Sequence, residues 1–208
     1  MPADQKPVIK PESEFNTVVS HIDAKILEQL KKEEADKVTG KNPGLAKKNI
    51  NNVIPTIDST TAGYYQNIEK AIADKRLMKP DGNNASYWFE KLQHSKAGND
   101  VIINAKIELA AALMNSAQDV VNEYLSGKEL KAEPEYFASS AKELGKAGEL
   151  FGSDFIWYNQ ITARRLFMEA NSILLVNDNN RLEEAKTKLD SSLLLDSGAA
   201  YTWFALGE

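Results

Sequence analysis

Cysteine is absent from the 208-residue chain, and histidine occurs only as His21 and His94. The first absence excludes a disulfide framework, a thiol nucleophile and a thiolate zinc site; the second excludes a histidine-rich metal centre. No stretch approaches the roughly 18 to 20 uninterrupted apolar residues of a transmembrane segment, and no basic start followed by an apolar core marks a secretory signal. The lack of cysteine suits a cytoplasmic or an extracytoplasmic protein alike. The formal net charge is −5, with 25 Lys and Arg against 30 Asp and Glu, which argues against nucleic acid as a partner because that work needs a basic face. The strict alternation of a half-buried strand is missing as well, so no sheet is expected. What is present is ordinary in amount, 42% hydrophobic and 26% charged residues, and sufficient for a buried core.

The helical period carries most of the rest. Residues 1–12, with Pro2, Pro7 and Pro11, read as an extended lead-in. From Ser13 to about Lys37, Phe15, Val18, Ile22, Ile26, Leu27 and Leu30 mark one face of an amphipathic helix. Turn formers crowd residues 39–58, predicting a long loop that is either functional or a linker, so 13–58 is a helix plus loop ahead of a helical domain at 59–208. In that domain Tyr64, Ile68, Ala71 and Ile72 carry a helix stopped by Pro80-Asp81-Gly82. Tyr87, Trp88, Phe89 and Leu92 carry a shorter one that Gly98 ends and Asn99 or Asp100 recaps. A long helix follows, with Ile102, Ala105, Leu109, Leu113, Ala117, Val120 and Tyr124 as its inner stripe. Pro134 suits a first helical turn, and Phe137, Ala141, Leu144, Ala147, Leu150 and Phe151 form the buried side up to Gly152. Ser153 or Asp154 caps a helix expected over Phe155 to about Val176, and a further helix spans Leu182 to Leu195. Antiparallel hairpins joined by short turns are the expected all-α architecture.

The C-terminal stretch reads Ala185-x3-Leu189-x2-Ser192, then Asp196-Ser197, then Trp203-x2-Leu206-Gly207. This resembles the tetratricopeptide repeat (TPR), most clearly over Arg181 to Glu208. The first helix of the preceding unit departs from the pattern, with Glu169, Ser172 and Ile173 where the family has a bulky residue, Leu and a small residue. The resemblance implies a right-handed solenoid of stacked hairpins, close helix approach at Ala185 and Gly207, and Trp203 and Leu206 packed on the Leu182 to Leu195 helix. An apolar helix with no partner after it also carries the expectation that the repeats continue beyond Glu208.

Candidate chemistry is sparse. Gly40-Lys41 and Gly44-x2-Lys47-Lys48 lack the spacing of a phosphate loop, His21 and His94 lie in separate segments, and Glu33-Glu34 and Glu183-Glu184 read as solvated helix faces. Asn84-Ala85-Ser86 meets the glycosylation sequon. No catalytic residue, metal ligand or cofactor is assigned. By resemblance, the first helices of TPR-like hairpins line a concave groove that binds a protein or peptide. One face of the expected Phe155 helix then presents Tyr158, Thr162, Arg165 and Glu169, with Trp157, Ile161 and Arg164 alongside. Tyr158, Thr162, Arg165, Trp157 and Arg164 are the candidate partner-binding residues. The plainer reading makes Arg164-Arg165 an exposed pair flanked by Asp154 and Glu169, and Trp157 inter-helix packing, which leaves Tyr158 and Arg165 as the stronger candidates. Two functions fit: a non-enzymatic scaffold for a partner or for other domains of the same parent chain, or a regulatory or substrate-recruiting domain of an enzyme whose catalytic part lies beyond Glu208.

Overall fold

The computed structural model describes residues 26–32, 59–126, 134–176 and 179–207. Every regular element among them is helical, with no strand. Residues 26–32 form α1, the described part of the helix expected over 13–37; the 1–12 lead-in and the 39–58 loop lie outside the described residues. The order continues with α2 (Ser59–Ala73), α3 (Ala85–Gln93), α4 (Asn99–Leu125), α5 (Pro134–Phe151), α6 (Tyr158–Leu174), α7 (Leu182–Leu195) and α8 (Ala200–Gly207).

Four of the predicted helix ends fall elsewhere: α3 stops at Gln93, with His94 as its C-cap, instead of running to Gly98, and the other three have local reasons. α2 stops at Ala73, well before Pro80. Lys75 takes a φ of 56°, Arg76 N–H donates to the Ala71 carbonyl and Lys75 N–H to that of Ile72, so a Schellman turn closes the helix with lysine where glycine is usual. α4 has Gly98, rather than Asn99 or Asp100, at its N-cap, and no side chain caps it. α6 begins at Tyr158 instead of Phe155. Gly152, at φ 83°, ends α5, and the chain then turns so that Phe155 stacks on Phe151 with ring centroids 4.0 Å apart. That contact draws Phe155 into the core before the helix can start.

Cross-helix contacts give the directions. Tyr124 of α4 meets Phe137 near the start of α5, and Phe167 of α6 also meets Phe137. Ser192 near the end of α7 donates to the Ala163 carbonyl, while Lys188 reaches Glu169. α4–α5, α5–α6 and α6–α7 are therefore antiparallel pairs, and packing runs chiefly between neighbours in the chain. α4 carries the predicted stripe of Ala105, Leu109, Leu113, Ala117 and Val120, but Ile107, Ala110, Met114, Gln118 and Val121 are buried too. It is covered on two sides: α2, α3 and α5 all pack against it.

The last helix departs from expectation. Tyr201, Thr202 and Ala205 are its buried residues, whereas Trp203 is 59% and Leu206 36% exposed. The turn explains the indole, because Trp203 Nε1 donates to the Ser197 carbonyl and is held over Asp196-Ser197-Gly198. Phe204 sits edge-on against Tyr124. Ala185 is fully buried, as a close helix approach requires, while a Cβ on Gly207 would meet nothing within 4 Å.

Candidate partner-binding site

The helical period places Tyr158, Thr162 and Arg165 along one side of α6. That side faces three α5-derived glycines, and together they line a cavity of about 420 Å³ with Leu144, Glu149, Ser153 and Ile161. Gly145, Gly148 and Gly152 make the space. A Cβ on Gly145 would lie 3.6 Å from Arg165 Cδ, and one on Gly148 would lie 3.6 Å from Tyr158 Cε2. Both are ordinary van der Waals distances, so the tyrosine ring and the arginine stem lie across α5 just beyond the reach of a methyl group. A glycine inside a helix costs about 1 kcal/mol relative to alanine, so two in α5 need a packing or functional reason.

The cavity has a charged end. Arg165 Nη1 donates to Glu169 Oε1 at 2.8 Å, and the other oxygen of Glu169 takes Lys188 Nζ at 2.7 Å. One carboxylate thus carries two cations, one from each of α6 and α7, all partly exposed. Thr162 Oγ1 donates to the Tyr158 carbonyl at 2.8 Å, which fixes its rotamer. Glu149 pairs with Lys146 at 3.5 Å. Among the described residues, Arg165 has Glu169 as its hydrogen-bond and ion-pair partner, and a guanidinium offers five N–H groups.

The remaining two candidates go elsewhere. Trp157 occupies the N-cap of α6 and packs edge-on against Phe155, at 5.6 Å between centroids, a contact within the turn that joins α5 to α6. Arg164 lies beside the hydroxyl of Tyr201 in α8; burial pushes that phenol above its ordinary range and Arg164 partly offsets it. Consecutive residues on a helix point about 100° apart, so Arg164-Arg165 is not one positive spot. Sequence reading missed the α5 half of the cavity. Its signal was Gly145 and Gly148, three residues apart on one side of a helix, followed by Gly152 where that helix ends.

Other motifs have structural work. Asn84 is buried as the N-cap of α3: its Oδ1 accepts from Tyr87 N–H, and its Nδ2 donates to the carbonyls of Met78 and Pro80. A sequon asparagine so engaged is not presented for glycosylation. His94 Nδ1 contacts the Glu90 carbonyl at 2.7 Å. Arg181 binds Glu184 through two nitrogens and holds its carboxyl below the usual range. Glu108 accepts from Lys31 of α1 at 2.5 Å and from Tyr65 of α2 at 2.9 Å, tying α1 to the domain next to the buried Leu30. His21, Glu33-Glu34 and the Gly40 to Lys48 stretch lie outside the described residues. Among the described residues no group of three or more His, Asp or Glu is placed to hold a metal ion, and no helix is long and apolar enough to cross a membrane.

Comparison with protein-family models, with curated proteins and with solved structures finds no match to this chain.

Proposed function

We propose that the chain is a non-enzymatic interaction scaffold, a TPR-like stack of helix hairpins that binds a partner protein or peptide through the side of α6 that faces α5. The observation that carries this reading is the α5–α6 cavity, where Tyr158, Thr162 and Arg165 meet on a floor of glycines. Tyrosine supplies contact area with few rotors and arginine supplies directional donors, the combination enriched at interface hot spots. Burial of Ala185 and the neighbour-to-neighbour packing of α4 through α7 support the repeat-like stacking. The face expected to be a concave groove of first helices becomes, in this reading, a cleft between one hairpin and the next.

Affinity capture with the chain beside a Tyr158→Ala/Arg165→Ala variant tests it, read by mass spectrometry. Proteins held by the parent and lost with the variant are expected, with thermal melts of both recorded alongside because Tyr158, though partly exposed, also packs against the core. Equal capture by the two would overturn the assignment to this face.

A further inference from the structure

Resting on that reading, we infer that the α5–α6 cavity takes an acidic peptide segment, with an Asp or Glu carboxylate seated on the outer edge of the Arg165 guanidinium. The argument begins with the arginine. Arg165 uses Nη1 for Glu169, and its other N–H groups have no partner among the described residues. Its planar fork is suited to a second carboxylate, and a guanidinium already fixed at one corner loses little freedom on taking one.

Local charge favours an anion. Glu169 is flanked by both Arg165 and Lys188, so this triad carries a net positive charge at its end of the cavity, whereas Glu149 shares Lys146 with Glu90 at the α5 side and leaves the positive charge confined to the Arg165 end. The cavity is also the right kind of space for a chain rather than a large rigid body. Its volume of about 420 Å³ holds a few side chains, and Gly145 and Gly148 present no Cβ toward it. Tyr158 lies at the opposite end of the row from Arg165, separated by Thr162, so one ligand residue can pack on the ring while the next few reach the charge. The carboxylate would share Arg165 with Glu169, and the two anions would compete for its donors.

That competition makes the proposal testable. Random peptides displayed on phage are selected against the full chain, and the enriched sequences are measured against variants whose thermal melts are recorded alongside. Enriched peptides are expected to carry a fixed Asp or Glu, to bind Arg165→Gln about tenfold more weakly, and to bind Glu169→Gln at least as tightly as the parent. A merely structural role for the triad would weaken binding in both variants, and that result overturns the proposal. So do acidic peptides indifferent to Arg165→Gln. Neutral or basic peptides lost on Gly148→Leu, which fills the cavity, but unaffected by Arg165→Gln would leave the binding face standing and remove the carboxylate. Gly145→Leu gives the same filling from the next turn should Gly148→Leu fail to fold. No enrichment, or peptides indifferent to every variant, overturns the binding face and the carboxylate together.

Discussion

The two sides of α6 solve the same packing problem in opposite ways. Toward α7, small buried residues let the helices close. Ala163 meets α7 through its carbonyl, which accepts Ser192 Oγ at 2.9 Å; Ser192 and Thr202 hydroxyls lie 3.0 Å apart, and Ala185 and Leu189 are buried. Toward α5, the glycines meet the Arg165 stem, the Tyr158 ring and Ile161 at ordinary contact distances, and the polar ends of the tyrosine and arginine reach past them, so a cavity remains. Smallness alone does not make a tight interface. What the opposing helix places over the small residue decides whether the result is a seam or a cleft.

Phe167 should show the largest effect, because it belongs to the framework that both sides share. It is fully buried and meets Tyr124, Phe137 and Tyr201 at centroid distances of 5.3, 6.4 and 4.8 Å. Phe167→Ala is expected to lower unfolding stability by about 3–5 kcal/mol in urea titration. A loss below about 1 kcal/mol would mean the aromatic cluster does not hold α4, α6 and α8 together. On the closed side, Ser192→Ala removes a hydroxyl buried between Ala163 and Thr202 and should cost about 1–2 kcal/mol. The same measurement on Thr162→Val should give less than half of that, since Thr162 bonds only within its own helix and is partly exposed.

The contrast between the two sides was half legible. Helix α7 matches its predicted bounds, entered from the 3-10 turn Asn179–Arg181 and closed at Asp196, whose Oδ1 accepts from Gly198 N–H, and Ala185, Leu189 and Ser192 are its buried residues as their spacing implies. The alignment of Tyr158, Thr162 and Arg165 follows from helical period alone. What they face does not, since no local pattern tells which neighbouring helix a polar stripe will meet. The surroundings of Trp157 and Arg164 were not legible for two distinct reasons. The first depends on where α6 begins, which the Phe151–Phe155 stack decides; the second depends on α8, whose Tyr201 comes from the far side of a turn. The exposure of Trp203 was hidden likewise, because the carbonyl that holds its indole belongs to a turn and leaves no mark in apolar periodicity.

α5 extends the comparison to its other neighbour, α4, and there pH is the probe. Burial pushes the Glu143 carboxyl above the ordinary carboxylate range, against a smaller opposing effect of the Ser116 hydrogen bond. As pH rises, the unfolded chain loses this proton before the folded one does. Stability therefore falls from the ordinary carboxylate range up to the raised value and is level on either side, the reverse of a salt-bridged carboxylate. Glu143→Gln should abolish that fall, gaining on the parent as pH rises upward from the ordinary carboxylate range. A parent-to-variant difference that stays constant with pH would show that the α4–α5 seam does not penalise the charge.

A small gain in stability, rather than a loss, is the most discriminating outcome. A Cβ on Gly148 would contact Tyr158 Cε2 at 3.6 Å and Ile161 Cγ2 at 3.8 Å, ordinary van der Waals distances. Gly148→Ala therefore gains helix propensity without a clash and should stabilise α5 by about 0.5–1 kcal/mol, while the tyrosine keeps its place. Were Gly148 a packing requirement like Ala185, the same change would destabilise the chain, and the cleft would be an imperfect seam. A stabilised variant that binds its partner less well would separate the two pressures, because then the glycine contributes nothing to folding that alanine lacks and is retained for what enters the space above it.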